Sequence, residues 1–327
     1  MNLDKPKHTQ HFLRCLRVLP RQFTPFDSHR LSIVYFCIIG LDVLGSLDSI
    51  EPSLRQQWVD WIYTCQVSTG GFKNAPGSAS EYNPAHVAAT YFALASLITL
   101  GDNHVRVHRH ETLRWIQSLQ LQEGNFAATL VKGIPQGERD LRFSYCACAA
   151  AHLLNAPPST IDYARLSTFI SSCVSYNGLV GQRAAAEGHA GLTYCALAIY
   201  SLSNGSMKSP TCNDDFLGAL LQLQCEGGGF SGRVNKNADS CYSYWVMASL
   251  SLLQAECSSS TSNVEFLLGE VQHQFGGFSK TKGDHPDPLH SCLSLLSLSL
   301  SQFPHLEAVH PALAVTKRSV RNLAFLS

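Results

Sequence analysis

A turn cluster that ends in an apolar residue occurs five times along this 327-residue chain. The last residues of the five turns are Phe72, Phe126, Leu179, Phe230 and Phe278. Successive turns lie 48 to 54 residues apart, and in four copies a glutamine stands six residues earlier. Near-equal intervals of this size are typical of repeat architectures, in which each unit buries its apolar face against its neighbours.

Each turn separates two helices of different character. The helix before the turn has apolar residues about 3.6 positions apart, which is typical of an amphipathic helix. The helix after it is apolar on nearly all sides and must therefore be buried on nearly all sides. Apolar helices are predicted at residues 31–44, 86–100, 142–154, 189–202, 240–254 and 289–301. We therefore predict an all-α fold, an α/α toroid in which outer helices surround a closed ring of inner helices.

The repeats extend over most of the chain, so we expect a single toroid domain over residues 1–327, with repeats centred near residues 72, 126, 179, 230 and 278. An open superhelix of helix pairs is the alternative, but its helices would alternate less sharply in polarity. The sequence shows no strand pattern of useful length.

The charge composition limits what the surface can bind. Lys and Arg number 24, as do Asp and Glu, and this balance argues against non-specific nucleic-acid binding. Charged residues make up only 15% of the chain, compared with about 25% in an average soluble domain. Either much of the chain is interior, or another protein covers part of the surface.

The expected compartment is cytoplasmic and reducing. The longest apolar stretch, residues 87–100, is shorter than the ~18 residues of a membrane span. The first eight residues lack the apolar core of a secretory signal. The 12 cysteines are therefore interpreted mostly as small buried hydrophobic residues.

In a closed ring the inner helices begin at one end, so their first residues share a cavity mouth. These positions are polar: His86, Arg142, His189, Asp239, Cys241 and His290. Helix capping or solvation explains each of them singly, but their recurrence in separate repeats favours a site. Asp239, Cys241 and His290 would offer three ligands to a tetrahedral zinc ion and leave the fourth position open, as in catalytic zinc sites.

Two further groups would adjoin these ligands. Arg233, Lys236, Tyr242 and His189 would form a donor cluster at helix amino ends, where backbone N–H groups favour an anion such as a diphosphate. A solvated basic loop is the alternative. Aromatic residues would line the inner surface: Tyr91, Phe92, Tyr145, Tyr194, Tyr200, Tyr244 and Trp245. An aromatic core is the alternative to an isoprenyl diphosphate pocket.

Four segments resemble those of protein prenyltransferase β subunits. Residues 232–245 (GRVNKNADSCYSYW) resemble the zinc and diphosphate segment of that family. Residues 285–290 (HPDPLH) are similar to the segment that supplies the third zinc ligand. Residues 187–191 and 140–146 also fit, and the resemblance extends over about residues 11–323. It implies the same α/α toroid that the repeat predicts.

The resemblance also implies which residues act. Zinc would be held by Asp239, Cys241 and His290, which form the catalytic set together with Lys280 and Tyr242. The lipid diphosphate would contact His189, Ala190, Gly191, Arg233, Val234, Asn235, Lys236, Tyr242, Ser243, Tyr244, Trp245, Arg142, Tyr145 and Ser32. The last residue of a peptide substrate would contact Ser28, Phe36 and Leu289. The implied reaction is alkylation of the cysteine in a C-terminal C-a-a-X motif.

Within the family, the chain most resembles the members that transfer geranylgeranyl to motifs ending in Leu or Phe. Ser32 stands where farnesyl-transferring members have a bulky Trp, which implies a deeper lipid pocket. Lys280 stands where farnesyl and Rab-type members have an Asp that helps to hold Mg²⁺. The resemblance therefore implies a zinc-dependent, magnesium-independent enzyme that uses geranylgeranyl diphosphate. Leu293 replaces the Phe usual in these members and would widen the pocket.

The implied partners are an α subunit, in an obligate heterodimer, and small GTPases of the Rho class as substrates. The alternatives are a Rab-type or farnesyl-transferring β subunit and, from a different class, a non-catalytic α/α toroid that binds a protein. A terpene cyclase is disfavoured because the sequence contains no D-x-D-D-type acidic cluster.

Overall fold

The computed structural model describes residues 2–18, 21, 28–77, 83–207, 213–255, 260–321 and 323. Its α-helices are α1 (Lys5–Arg17), α2 (Arg30–Val43), α3 (Pro52–Tyr63), α4 (Val87–Thr99), α5 (Arg109–Leu119), α6 (Leu141–Leu153), α7 (Tyr163–Ser172), α8 (Ala190–Leu202), α9 (Asn213–Leu221), α10 (Ser240–Leu252), α11 (Ser260–Phe266), α12 (Pro288–Leu300) and α13 (Lys317–Arg321). A π-helical segment, Leu267–Val271, extends α11, and short 3-10 helices lie at Leu47–Ser49 and Pro158–Thr160. None of these helices is long and apolar enough to cross a membrane.

The strands of the described residues form three short antiparallel hairpins. They pair β1 (Thr129–Val131) with β2 (Ile134–Gln136), β3 (Phe278–Ser279) with β4 (Pro286–Asp287), and β5 (Val309–His310) with β6 (Val315–Thr316). None exceeds three residues per strand, so helices are the main regular structure of the described residues.

Six helices form a closed inner ring: α2, α4, α6, α8, α10 and α12. Each packs on the next in this order, and α12 packs on α2. Their bounds differ from the predicted apolar helices by at most two residues. Five of the six begin with a polar side chain that accepts a hydrogen bond from the first turn: His86, Asp140, His189, Asp239 and Asp287. The predicted toroid is therefore confirmed, and the open superhelix is excluded.

The N-terminal helix completes the outer layer. In four of the five turns a glycine packs against an outer helix of the following unit, as Gly70 does on α5. A Cβ atom on Gly70 would lie 2.5 Å from the carbonyl oxygen of Glu111, and the φ of Gly70 is +114°, so only glycine fits there. A Cβ atom on Gly276 would overlap the carbonyl of Lys7 in the same way. Helix α1 therefore acts as the outer helix of the last turn.

Three of the repeated glutamines bind the backbone just before the next outer helix. Gln66 donates to the carbonyl of Arg106 (3.1 Å) and accepts from the N–H of His108 (2.8 Å), which precedes α5. Gln272 donates to the carbonyl of Asn2 (3.2 Å), before α1. These bonds satisfy polar groups at helix starts that lack intrahelical partners, which explains why glutamine recurs at this spacing.

A buried ion pair attaches the C-terminal segment to the first inner helix. Asp42 in α2 is 1% exposed. Arg318 in α13 donates to its Oδ1 through Nε (2.7 Å), and Ser319 donates to its Oδ2 (2.9 Å). Thr316 also donates to Asp42. The cluster anchors the β5–β6 hairpin, whose loop, residues 311–314, enters the centre of the ring.

Candidate metal centre and adjoining cavity

Three side chains with metal-binding atoms meet where α10 and α12 begin. Asp239 caps α10, and its Oδ1 accepts from the N–H of Cys241 (3.0 Å). His290 lies in the first turn of α12, with Nε2 3.4 Å from Asp239 Oδ1. One ligand atom from each of the three residues lies within 4.8 Å of the others. The fold thus brings together residues that a whole repeat separates in sequence.

Asp287 fixes the orientation of the His290 ring. As the cap of α12, its Oδ1 accepts from the His290 N–H (3.0 Å), and its Oδ2 lies 2.6 Å from His290 Nδ1. A proton on Nδ1 makes the second contact a hydrogen bond and leaves Nε2 directed at Asp239. Metal-binding histidines usually have such a carboxylate partner. Sequence reasoning did not assign this role to Asp287, although an Asp three residues before the histidine, followed by Pro, is a recognisable capping signal.

Without a bound metal, His290 and Cys241 keep their protons at neutral pH. Burial lowers the pKa of His290, but the Asp239 and Asp287 carboxylates outweigh burial and raise it to about 9. Burial, with the Asp239 carboxylate beside it, raises the pKa of the Cys241 thiol well above its usual range. At neutral pH the three groups are therefore a carboxylate, an imidazolium and a thiol.

The donor set fits a divalent cation. A cation would replace the imidazolium and thiol protons and balance the same buried carboxylate. The 3.4 Å between Asp239 Oδ1 and His290 Nε2 equals the separation of two tetrahedral ligands bound at ~2.1 Å. One carboxylate, one imidazole and one thiolate leave a fourth position for a substrate, as catalytic zinc sites do.

His189 and Tyr242 form a hydrogen-bonded pair at the same mouth. His189 Nδ1 accepts from the N–H of Gly191 (3.1 Å). Burial lowers the pKa of His189 to about 4, so the ring is neutral at pH 7 and its single proton lies on Nε2. Nε2 therefore donates to the Tyr242 hydroxyl oxygen (2.8 Å). The hydroxyl proton of Tyr242 is then available to donate to another acceptor.

Two of the predicted cationic side chains lie opposite acids. Lys280 Nζ is 3.8 Å from Asp239 Oδ2, and the lysine side chain is more than half exposed. Arg233 pairs with Glu187 (2.9 Å), while Lys236 is exposed. Solvent can reach all three side chains, and two of the three positive charges are paired with acids.

The backbone N–H groups that begin α8 and α10 already have partners inside the protein. The N–H of Ala190 donates to the carbonyl of Gly232 (3.0 Å), and that of Ser240 donates to the carbonyl of Lys280 (3.0 Å). The following N–H groups, of Gly191 in α8 and of Cys241 in α10, also lack an intrahelical partner. Each donates to the capping side chain of its helix. An anion at these two helix starts would therefore meet side-chain donors, contrary to the prediction that backbone groups contribute.

A cavity of about 400 Å³ lies inside the ring, and its wall includes Leu289, the residue that precedes His290. Six of the seven predicted aromatic residues line it: Tyr91, Phe92, Tyr145, Tyr194, Tyr244 and Trp245. Tyr200 does not, because it follows Tyr194 by six residues and so points from a different face of α8. The wall also includes Tyr35, Phe36, Arg142, Gly191, Leu289 and Leu293.

Five tyrosines from successive inner helices form a row of hydroxyl groups: Tyr35, Tyr91, Tyr145, Tyr194 and Tyr244. Neighbouring hydroxyl oxygens lie 3.1 to 3.2 Å apart. Each also donates to a carbonyl of residues 311–314, at 2.6 to 3.1 Å. Because the hydroxyl groups bind residues 311–314, the tyrosines present only their aromatic rings to the cavity. The wall is therefore apolar although it is rich in tyrosine. Sequence reasoning missed Tyr35, although its distance from Tyr91 matches the repeat.

The remaining predicted contacts lie away from the cavity wall. Ser32 is one turn before Phe36 and donates to the carbonyl of His29 (2.7 Å). Ser28 is exposed and pairs with the His29 ring (2.9 Å). Val234 and Asn235 are exposed on the loop before α10, whereas Ser243 is buried within α10.

Known proteins resemble this chain over nearly its full length. A family model for the prenyltransferase alpha-alpha toroid domain matches residues 3–315. The geranylgeranyl transferase type-1 subunit beta of Arabidopsis thaliana is 31% identical, over 96% of this chain and 89% of the relative. The subunit of the same name from Dictyostelium discoideum is 29% identical, over 97% and 96%.

A solved structure gives the same result. Candida albicans protein geranylgeranyltransferase-I complexed with GGPP superimposes with a TM-score of 0.90 at 27% identity, covering 99% of this chain and 98% of that one. The repeat, the closed ring and the family model agree, and the chain therefore belongs to the prenyltransferase α/α-toroid family.

Proposed function

We propose that this chain is the catalytic β subunit of a zinc-dependent protein geranylgeranyltransferase of type I. The observation that carries the proposal is the convergence of Asp239, Cys241 and His290 beside a cavity walled by aromatic rings. The metal-binding cluster suits thiol chemistry, and the apolar cavity suits an isoprenoid chain. Full-length similarity to type-1 geranylgeranyl transferase β subunits favours geranylgeranyl over farnesyl.

The proposed reaction moves a geranylgeranyl group from its diphosphate to the cysteine of a C-a-a-X motif that ends in Leu or Phe. A carbon–sulfur bond forms at C1 of the lipid, the bond from C1 to the diphosphate oxygen breaks, and the thiol proton leaves. A zinc ion held by Asp239, Cys241 and His290 would stabilise the substrate sulfur as a thiolate near neutral pH.

The other residues of the mouth have distinct proposed roles. The Tyr242 hydroxyl, fixed by His189, donates to a diphosphate oxygen as negative charge develops there. Lys280, Arg233 and Lys236 add positive charge around the same anion. The cavity rings hold the lipid and exclude water from C1.

Tyr242→Phe is expected to lower kcat about 10²-fold with little change in the KM for peptide, since it removes one donor aimed at charge that develops in the transition state. Single-turnover rates measure the effect. Tyr200→Phe is the matched control, because it alters a tyrosine outside the cavity wall. An unchanged kcat for Tyr242→Phe would contradict the donor role.

Zinc affinity is expected to rise with pH between about 6 and 9. His290 keeps its proton up to a pKa of about 9, and the pKa of Cys241 is also raised, so binding must displace both protons. Each displaced proton strengthens apparent binding about tenfold per pH unit. Chelator competition across this range measures the slope. Asp287→Asn removes one carboxylate that raises the pKa of His290, so zinc affinity should depend less steeply on pH in this variant. A zinc affinity that does not change with pH in the unaltered chain would refute the assigned protonation of His290 and Cys241.

The proposed enzyme works in the cytoplasm as a heterodimer with an α subunit, and Rho-class small GTPases are its proposed substrates. The low charged fraction of the chain supports a surface covered by a partner. A monodisperse, fully active single chain would disprove the heterodimer.

The deciding experiment is competition between C20 and C15 diphosphates. The chain is co-expressed with a candidate α subunit and assayed on peptides that differ only in the last residue, without added magnesium or an escort protein. Preference for C20 on peptides ending in Leu supports the proposal. A need for magnesium with C15 preference indicates the farnesyl enzyme, and a need for an escort protein indicates the Rab-type enzyme.

A further inference from the structure

The side chain that packs beneath the last turn differs from its counterparts in other repeats. A Cβ atom added to the turn glycine of the first repeat would contact Trp115 of α5, and in the fourth repeat Phe266 of α11. At Gly277, in the last repeat, the corresponding contact is His11 of α1. His11 is 7% exposed. Phe266 shows that an apolar ring fills this space, and a buried imidazole is costly unless its nitrogens are hydrogen-bonded.

His11 makes its hydrogen bond to the first turn of α12. Its Nε2 lies 3.3 Å from Ser291 Oγ. Ser291 directly follows His290, whose ring Asp287 orients. His11 therefore contacts the helix turn at the residue next to this imidazole.

Two other inner helices bind the equivalent hydroxyl within themselves. In α4, Thr90 Oγ1 donates to the carbonyl of the capping residue His86 (3.0 Å), and the same bond recurs in α8. In α12 the equivalent hydroxyl, on Ser291, meets His11 rather than the carbonyl of the cap. A bond internal to the helix is thus replaced by one that joins α12 to the N-terminal helix.

We propose that His11 is a positioning residue, which acts from α1 to hold the first turn of α12 so that His290 meets Asp239 and Cys241 in the geometry of a metal site. The inference rests on the metal site of the proposed function. Its consequence is that completion of the outer layer by the N-terminal helix and assembly of the metal site are coupled.

The test is His11→Phe in the full chain, co-expressed with a prenyltransferase α subunit. This substitution supplies the aromatic ring found in another repeat and removes the hydrogen bond to Ser291. The readouts are the absorption spectrum with Co²⁺ and the affinity for Zn²⁺ by chelator competition. We expect zinc affinity to fall about 10- to 100-fold, the range for residues that orient ligand histidines, with a shifted cobalt spectrum. His11→Gln keeps a donor and an acceptor and should restore both readouts in large part.

His8→Phe is the matched control. His8 is buried in the same helix, but its hydrogen bonds go to Gly277 (3.0 Å) and Gln272 (2.9 Å) at the last turn. We expect it to lower thermal stability while the cobalt spectrum stays unchanged. His11→Leu removes the same bond as His11→Phe and carries the test if the Phe variant fails to assemble.

Two results would overturn the inference. One is a wild-type spectrum and zinc affinity in the variants with an apolar residue at position 11. The other is an equal shift of the cobalt spectrum in His8→Phe, which would attribute the effect to the packing of α1 in general. Cys241→Ala separates this inference from the proposed function. If Cys241→Ala still binds metal normally, the metal site itself is wrong. If it loses metal while His11→Phe does not, only the positioning role is wrong.

Discussion

Cys241→Ala is expected to abolish stoichiometric zinc binding and to slow prenyl transfer about 10³-fold or more. The substitution removes one of three converging ligands and the negative charge that a bound thiolate contributes. A metal ion that stabilises a reacting group is worth several kcal/mol in the transition state, which corresponds to this factor. Metal content after dialysis and single-turnover rates measure the two effects.

The control for this prediction is Cys146→Ala. Cys146 is another buried thiol, and it lines the same cavity from α6. We expect this variant to keep its zinc and most of its activity, because Cys146 lies outside the three-residue cluster. One zinc per heterodimer and unimpaired turnover in Cys241→Ala would eliminate the proposed zinc mechanism.

Asp42→Ala is expected to lower the free energy of unfolding by about 3 to 5 kcal/mol, the usual cost of removing one partner of a buried ion pair. The carboxylate is almost fully buried and accepts from Arg318, Thr316 and Ser319. This cluster anchors residues 311–314, the segment to which the five tyrosine hydroxyls donate. We therefore also expect weaker lipid binding. Urea unfolding and lipid titration measure these effects.

Asp48→Ala provides the comparison. Asp48 also pairs with Arg318 (2.6 Å), but its side chain is 69% exposed, so its loss should cost less than about 1 kcal/mol. Arg318→Ala combined with Asp42→Ala should cost less than the sum of the single substitutions, because the two residues share one interaction. Equal losses of unfolding free energy in Asp42→Ala and Asp48→Ala would show that burial does not determine what each carboxylate contributes to stability.

The architecture could be predicted because it depends on local patterns. The period of the turns and the polarity of the helices between them indicate which helices are inner and which are outer. These two patterns are enough to predict the closed ring and to place the ends of the inner helices within two residues. Asp239, Cys241 and His290 could be singled out because inner helices of a ring share one end.

The composition of the cavity wall was harder to predict. Tyr200 was predicted as lining and Tyr35 was missed, because aromatic residues at helical spacing do not reveal which face points inward. Ser32, which the resemblance relates to the depth of the lipid pocket, is not among the residues of this wall, and its lipid role stays a prediction. The direction of a side chain depends on the rotation of its helix, which neighbouring helices set.

The sequence by itself determined the toroid, the end at which polar residues gather, and the three residues offered to a metal, since repeat period and polarity belong to short stretches of chain. Only the tertiary structure decided how that end is held. The contacts that do so join distant parts of the chain: His11 to Ser291, and Asp42 to Arg318. Partners separated by some 280 residues leave no periodic signal, because their meeting depends on how the whole ring closes.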